Sequence, residues 1–334
     1  MQKDYRRINR EVMTHTYELC SKINSLKKSI EYSISNQKVI LETDNINPER
    51  QESCQSKIFV SKKRTYEAAR AYKGRKIAVL NFANNHSIVG APYSAGAQEE
   101  SLCRCSTLLP CLEACESTFY QPHRDAFDKG VLDNYGNDDI IYTPRITVFK
   151  TDESDPELLD ENYWFNVDVI TCAAPEVKYG YNSNLYKILV NRITRILDIA
   201  SKNGVEVLIL GAFGCGAFGN PPEMVAKVFH DLLCHYNFDI VEFAVFTRND
   251  ATNYDVFNKV IYSFNSYEAK LFRFFNNKFN IDLEVNDSYE LLKIKLGTIN
   301  SNNDPDIIML KHNIELAFNL DKVIIALDYY KSTL

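Results

Sequence analysis

The sequence predicts an α/β fold in which a mixed, mainly parallel sheet lies between two layers of helices. Five short segments are almost continuously apolar, as is typical of strands buried on both faces. Amphipathic segments of helical period separate several of them, and this alternation favours a three-layer α/β/α sandwich. The five predicted strands are Ile77–Phe82, Ile140–Phe149, Trp164–Cys172, Val205–Leu210 and Ile240–Phe246.

The helical segments follow from the spacing of apolar residues. Residues 5–34 carry apolar side chains at intervals that fit one or two surface helices, and a polar loop from Thr43 to Lys57 follows. A short helix is predicted at Arg64–Tyr72, before Gly74. Asn184–Asn203 and Pro222–Tyr236 are amphipathic and lie between predicted strands.

Beyond about Tyr262 the chain becomes rich in Asn and nearly free of Gly. Two helical stretches are predicted there, Ser266–Asn277 and Asp304–Tyr330. We therefore divide the sequence into a helical extension packing on the core (1–74), a core domain (75–262) and a C-terminal appendage (263–334) whose role the sequence leaves open.

Composition and charge exclude several classes of function. The 44 acidic and 38 basic residues leave a net charge of -6, which argues against a diffuse nucleic-acid-binding surface. No apolar run reaches the roughly 18 residues of a membrane span, and no signal peptide opens the sequence. The nine cysteines then predict reduced thiols in a cytoplasmic protein, with a nuclear location as the alternative.

A glycine-rich segment follows the fourth predicted strand. Residues 211–219 contain four glycines, and two prolines next open a helix. Backbone N–H groups without neighbouring Cβ atoms, together with a helix N-terminus, form a cradle for phosphate or diphosphate. A tight turn needs only one glycine, and no acidic residue ends the next strand as a dinucleotide-binding Rossmann site requires.

Acidic residues open a helix after the first predicted strand. Gln98-Glu99-Glu100 follow the loop after this strand, and the amides of Asn81 and Asn84 at the strand exit can bind sugar hydroxyls. Glutamates in a first helical turn can merely compensate the helix dipole. Alternatively, one of these two glutamates is a general acid/base that acts beside a sugar. Adjacent helical residues point about 100° apart, so this is not the facing carboxylate pair of an ordinary retaining glycosidase.

The segment from Asn81 to Leu108 resembles the signature of microbial-type poly(ADP-ribose) glycohydrolases, a catalytic branch of the macrodomain superfamily. Its Gln-Glu-Glu followed by Ser-Leu-Cys-Arg matches closely. Ile141–Pro144, Asp168–Pro175 and Gly211–Pro222 resemble further family segments in the same order, as do Arg6–Leu19 and Thr65–Ala69. The resemblance covers about residues 5–262 and implies a macrodomain-like fold.

That resemblance also implies roles for individual residues. Glu100 would protonate the departing glycosidic oxygen and then activate water, while Glu99 would hold ribose hydroxyls. Asn84 would bind the distal ribose, Phe218 would pack against it, and Gly214, Cys215 and Gly216 would donate backbone hydrogen bonds to the diphosphate. Three further residues complete the expected substrate-binding set, namely Gly90, Gln98 and Ala217. The reaction would need no cofactor and no metal.

The chain departs from the family in one loop. Where the family has three glycines, this sequence has Val89-Gly90-Ala91, and the two added side chains are expected to crowd the substrate. The leading hypothesis is hydrolysis of the ribose–ribose bond of poly(ADP-ribose). The alternatives are a non-hydrolytic ADP-ribose reader and a hydrolase that removes single ADP-ribose units from protein or nucleobase.

Partners and remaining side chains have simpler interpretations. The expected partners are ADP-ribose or its polymer and ADP-ribosylated proteins, without direct nucleic-acid or membrane binding; oligomeric state is left open. Cys103, Cys105, Cys111 and Cys115 match no zinc spacing and are interpreted as core residues. Cys215 lacks a basic neighbour that would make it a nucleophile, and Arg192 and Arg195 are expected on the surface.

Overall fold

A computed structural model describes residues 4–48, 56–264, 267–284, 287–301 and 303–333. The chain forms two compact units, Met1–Val260 and Ile261–Leu334. The predicted loop 43–57 lies partly outside the described residues, as does Ser266 at the start of a predicted helix.

The first unit is built on a seven-stranded mixed sheet, of order β1-β4-β5-β3-β6-β7-β2. The four neighbouring pairs from β5 to β2 are parallel, whereas β1 and β4 add antiparallel pairs at the other edge. The strands are β1 (Lys38–Ile40), β2 (Lys57–Ser61), β3 (Ile77–Ala83), β4 (Ile140–Val148), β5 (Phe165–Ala173), β6 (Val207–Leu210) and β7 (Ile240–Ala244).

All five predicted strands are present, and the predicted α/β class with a mainly parallel sheet is confirmed. The sequence analysis missed the two edge strands. β1 has only three residues, and β2 is mostly half-buried because it pairs with β7 alone. Neither therefore carries the continuous apolar run that identifies a strand covered on both faces.

Eight α-helices precede the last strand of the sheet in the described part of the chain, besides a π-helix at Glu116–Tyr120 and a 3-10 helix at Glu161–Tyr163. They are α1 (Tyr5–Lys22), α2 (Asn24–Asn36), α3 (Thr65–Arg70), α4 (Gln98–Cys105), α5 (Leu108–Glu113), α6 (Gln121–Asp128), α7 (Leu185–Lys202) and α8 (Pro222–Leu233). One buried cluster joins Met13 of α1, Tyr66 of α3, Leu102 of α4 and Leu112 of α5 to alternate residues of β3 and β4. Helix α7 packs against β5 and α8.

The N-terminal helices belong to the first unit and contact the segment that carries the acidic pair. Asn9 of α1 donates its amide hydrogens to the carbonyls of Ser94 and Ala95. Thr16 donates to the carbonyl of Arg104 at 2.5 Å, within the core. Residues distant in sequence thus fix the loop before α4.

The region after β7 contains five further helices, α9 (Thr252–Phe264), α10 (Tyr267–Phe279), α11 (Tyr289–Gly297), α12 (Pro305–Leu316) and α13 (Leu320–Ser332). The predicted single helix over 304–330 is wrong, because Asn319 caps a new helix by accepting from the N–H of Lys322. The second unit has its own apolar core, which includes Phe275, Leu296 and Leu327. Among described residues, no helix combines the length and hydropathy that crossing a membrane requires.

Candidate active site

A cavity of about 400 Å³ opens at the carboxyl ends of the parallel strands. Ala83 and Ala244 end β3 and β7, and Ala174 and Ala212 lie just beyond β5 and β6; all four line the cavity. Ligand sites of open α/β sheets form in this position because the strand ends leave a crevice between the loops. The first turn of α4 and the glycine-rich loop after β6 complete its walls.

The acidic pair lies in the first turn of α4 and faces this cavity. Glu99 is 4% exposed and Glu100 is 7% exposed. The amide of Asn81, at the end of β3, donates to Glu99 Oε1 at 3.0 Å. Glu100 Oε1 lies 3.4 Å from the backbone nitrogen of Ala91, whereas its buried Oε2 meets no hydrogen-bond partner among the described residues.

The pKa of Glu99 is raised to about 8, and burial is the largest of several causes. The hydrogen bonds from Asn81 and from the backbone of Asn84 oppose this shift, and the charge of Glu100 adds to it. Glu99 therefore binds its proton more tightly than an exposed glutamate does.

Gln98 connects the start of α4 to β3. Its carbonyl oxygen accepts from the N–H of Phe82 at 2.9 Å, and its nitrogen donates to the carbonyl of Leu80 at 2.8 Å and to Thr65 Oγ1 at 3.1 Å. All polar atoms of this amide are thus engaged within the protein, although Gln98 lines the cavity. The geometry makes Gln98 a residue that positions its two acidic neighbours, and its contact with a substrate stays a prediction.

Asn84 and Gly90 lie in the loop between β3 and α4, and both line the cavity. Asn84 Oδ1 accepts from the backbone N–H groups of His86 and Ser87, which closes a turn at the strand exit. At the other end of the loop, the buried guanidinium of Arg104 donates to the carbonyls of Pro92 and Ala95. The loop is thus held at both ends.

The expected crowding by Val89 and Ala91 is wrong. Val89 is fully buried in the core cluster beneath the loop, and Ala91 is exposed; of these three residues only Gly90 lines the cavity. Val89 reaches this position with a φ of 46°, a conformation that is strained for a β-branched residue. A Cβ added at Gly90 would lie only 3.3 Å from Glu100 Oε1, so the central glycine is the one the site needs.

The glycine-rich loop forms another part of the cavity wall, through Gly214, Gly216, Ala217 and Phe218. Gly214 has a φ of 71°, and a Cβ there would lie 2.4 Å from the Cβ of Ala174. Gly216 instead faces open space. Among the described residues, no acceptor meets the backbone N–H groups of Gly216, Ala217 or Phe218, which leaves them available to an anion.

Cys215 differs from the other predicted loop residues. Its backbone N–H already donates to the carbonyl of Ala212 at 3.1 Å, and it is absent from the described lining of the cavity. Burial raises the pKa of its thiol to about 12, so a thiolate nucleophile does not form there at neutral pH. The predicted backbone donation from Cys215 to a ligand therefore conflicts with the turn that this N–H closes.

The sequence analysis missed part of the cavity lining, namely Arg64, Phe246 and Asn253 with Ser101 and Asp152. The Arg64 guanidinium lies 3.9 Å from the centroid of the Phe246 ring. Phe246 lies two residues beyond the end of β7, so its position after a parallel strand was a usable signal. Arg64 and Asp152 carry no such signal, because the fold alone brings them to the cavity.

Other side chains have structural roles. The expected surface position of Arg192 is wrong: it is 1% exposed and donates to Asp138 Oδ1 and to the carbonyl of Ala173, at the end of β5. The half-buried Arg195 donates to the carbonyls of Asp138 and Leu41. The four clustered cysteines are core residues, and the described residues contain no group of three or more His, Cys, Asp or Glu side chains placed to hold a metal ion.

Comparison with known proteins shows which sequences and structures this chain resembles. A sequence model described as the microbial-type PARG catalytic domain matches residues 10–151. Poly(ADP-ribose) glycohydrolase from Thermomonospora curvata, solved as a glutamate-to-alanine mutant, is 27% identical, with a TM-score of 0.66 over 75% of this chain and 98% of that one. The same enzyme bound to the inhibitor ADP-HPD gives a TM-score of 0.64, at the same identity and coverage.

The enzyme from Deinococcus radiodurans in complex with ADP-ribose is 26% identical, with a TM-score of 0.59 over 70% of this chain and 97% of that one. No curated protein sequence matches the chain. The family match includes α4 and its acidic pair, and the structural similarity extends over nearly all of each solved enzyme. Residues 10–151 therefore match the microbial-type PARG catalytic domain, and 70–75% of the chain is similar in structure to solved poly(ADP-ribose) glycohydrolases.

Proposed function

We propose that this protein hydrolyses the O-glycosidic ribose–ribose bond of poly(ADP-ribose) and releases ADP-ribose. The observation that carries the proposal is that the acidic pair of α4 and the glycine-rich loop line one and the same cavity. Its volume of about 400 Å³ suits one nucleotide-sized ligand. The similar enzymes solved with ADP-ribose and with ADP-HPD support the same ligand class.

The glycine-rich loop would bind the diphosphate. The free N–H groups of Gly216, Ala217 and Phe218 supply donors without a bound cation, and backbone donors held by the fold cost little reorganisation when an anion arrives. The half-buried ring of Phe218 would pack against the distal ribose. Asn84 uses its side-chain oxygen to close the strand-exit turn, which leaves its NH₂ group for a ribose hydroxyl.

Glu100 would act as the general acid and base. Its Oε2 is buried without a partner among the described residues, whereas Glu99 is held by Asn81. Protonation of the departing 2′ oxygen by Glu100 would accompany cleavage of the C1″–O bond and leave an oxocarbenium-like ribose. Water would then attack C1″ and return its proton to Glu100. Such proton transfer typically contributes about 10²–10⁴-fold.

Glu99 would orient the ribose rather than transfer the proton. Because its pKa is raised to about 8, it is a neutral carboxylic acid at pH 7 and can donate a hydrogen bond to a ribose hydroxyl oxygen. The hydrogen bond from Asn81 fixes its Oε1. The division of roles also follows from the helix, where adjacent side chains cannot face each other across one bond.

A turnover assay on purified poly(ADP-ribose), with Glu100→Gln beside the wild type, tests this proposal. We expect the wild type to release ADP-ribose and the variant to be at least about 100-fold slower. The variant should keep its ADP-ribose affinity within a few-fold, since only the proton transfer is removed. Isothermal titration with ADP-ribose provides that measurement and controls for folding.

Two other outcomes would replace the proposal. Wild-type protein that binds ADP-ribose but releases none from any substrate would be a reader module. Release from mono-ADP-ribosylated protein or nucleobase, with polymer left intact, would indicate a hydrolase of single ADP-ribose units.

A further inference from the structure

A loop beside the cavity carries two strongly exposed tyrosines. Tyr179 is 85% exposed and Tyr181 is 53% exposed. They flank Gly180, whose N–H donates to the carbonyl of Val177 at 2.8 Å and whose φ is 111°. This turn places Tyr179 at its tip, and Gly180 adopts its positive φ without strain.

The tyrosine loop is attached to the glycine-rich wall of the cavity. The N–H of Val177 donates to the carbonyl of Phe218 at 2.7 Å. The backbone of Lys178 lies so close to Gly219 that an added Cβ would be 2.9 Å from Lys178 Cα. The two tyrosines therefore follow directly on the part of the wall that would hold the distal ribose.

Other contacts fix the loop from the outer side. The N–H of Glu176 donates to the carbonyl of Asn134, and the N–H of Asn182 donates to the hydroxyl of Tyr135. Lys178 pairs with Glu176, and its Nζ lies 4.9 Å from the centroid of the Tyr179 ring. The rings are thus presented by an ordered turn, which lowers the entropy cost of stacking on them.

We infer that Tyr179 and Tyr181 form a stacking platform for the adenine of the neighbouring ADP-ribose unit, on the leaving side of the scissile bond. The inference rests on the proposed function, in which the distal ribose lies against Phe218. The unit beyond the scissile bond begins with an adenosine. Its adenine therefore lies outside the cavity, at a distance of about one nucleoside from the ring of Phe218. Exposed aromatic rings bind unpaired bases by stacking, and this stacking does not require one particular position along a repeating polymer.

The platform would distinguish polymer from free ADP-ribose, because only the polymer has an adenine on the leaving side. A defined linear ADP-ribose dimer and ADP-ribose itself are the two probes. Binding is measured by isothermal titration in the Glu100→Gln background, so the dimer stays intact. The test thus depends on affinity and does not require turnover.

We expect the Glu100→Gln protein to bind the dimer more tightly than ADP-ribose. Adding Tyr179→Ala with Tyr181→Ala should weaken dimer binding about tenfold, a typical effect of removing one stacked base. The affinity for ADP-ribose should stay within twofold. Tyr179→Phe with Tyr181→Phe keeps both rings and should preserve dimer affinity, whereas Tyr163→Ala, at a tyrosine that is 55% exposed elsewhere, is the matched control.

Three results would overturn the platform. The Glu100→Gln protein could bind the dimer and ADP-ribose with equal affinity, or the two alanine substitutions could lower the affinity for both probes equally. The alanine substitutions could also change the oligomeric state, measured by light scattering, and leave the affinity for the dimer unchanged. The last would assign the tyrosines to self-association. Absence of polymer turnover by the wild type, with the dimer preference intact, would refute the proposed reaction and leave the platform standing.

Discussion

The two walls of the cavity are built by different means. On the acidic wall, side chains from distant parts of the chain fix each other: Gln98 bonds to β3, Asn81 holds Glu99, and Asn9 of α1 holds the loop before α4. On the glycine-rich wall, the backbone itself provides the surface. Gly214 takes a left-handed conformation there, and Gly216 faces open space.

The difference follows from what each wall would do. A carboxyl group that transfers a proton has to be held within a fraction of an ångström, so it needs supporting side chains. A diphosphate needs several N–H groups in one concave surface, which a glycine-rich turn supplies by its own conformation. Val89 is the exception on the acidic wall, because it adopts a positive φ that is strained for a β-branched residue.

The largest effect is expected on the glycine-rich wall. Gly214→Ala should lower the free energy of unfolding by about 2–4 kcal/mol, because the new Cβ adds left-handed strain and overlaps Ala174. Gly216→Val meets open space and should change stability by less than about 0.5 kcal/mol, yet weaken ADP-ribose binding about fivefold or more by blocking the approach to the backbone. Urea unfolding and titration with ADP-ribose measure the two quantities. Equal effects of both variants on stability would remove the distinction between these glycines.

An intermediate effect is expected from Glu99→Gln on the acidic wall. A carboxyl group whose pKa is raised on folding binds its proton more tightly in the folded state. The free energy of unfolding therefore falls as the pH rises from 4.5 to about 8, the ordinary and the raised pKa of Glu99. Glutamine keeps the hydrogen bond from Asn81 without this titration, so the variant should be more stable than the wild type by on the order of 2 kcal/mol at pH 8.

That advantage should shrink towards pH 5, where the ordinary carboxyl also becomes protonated. Urea unfolding at pH 5, 6.5 and 8 measures it, with the exposed Glu157→Gln as control. A difference that does not change with pH would contradict the raised pKa of Glu99.

The smallest effect is expected from Val89→Gly. The variant loses a buried side chain but relieves the strain of a β-branched residue at a φ of 46°, so it should be only about 1 kcal/mol less stable than the wild type. Val89→Ala loses most of the same burial and keeps positive φ, and it should be at least as destabilised as the glycine variant. Thermal unfolding ranks the three proteins. A glycine variant clearly less stable than the alanine variant would show that no strain is stored at this position.

The central strands could be predicted because strands that are buried on both faces have continuous apolar sequences. The edge strands β1 and β2 were missed because they are less buried and lack such a sequence. The acidic pair and the glycine-rich loop could be found since each is a compact motif. Arg64 and Asp152 could not be found, because their residue types and neighbours carry no pattern. The sequence analysis also expected the Val89 side chain to crowd the substrate, whereas this side chain is buried in the core. The positive φ of Val89 that allows this burial leaves no sign in the sequence.

The amino-acid order by itself thus determined the class of fold, the two motifs and the family resemblance, since local periodicity and glycine spacing act within a few residues of chain. Tertiary structure alone decided which groups share one cavity, which hydrogen-bond donors remain free and how far burial raises the pKa of Glu99. Those properties depend on burial and on partners brought together from α1, β3, α4 and the loop after β6, and burial is a property of the packed molecule.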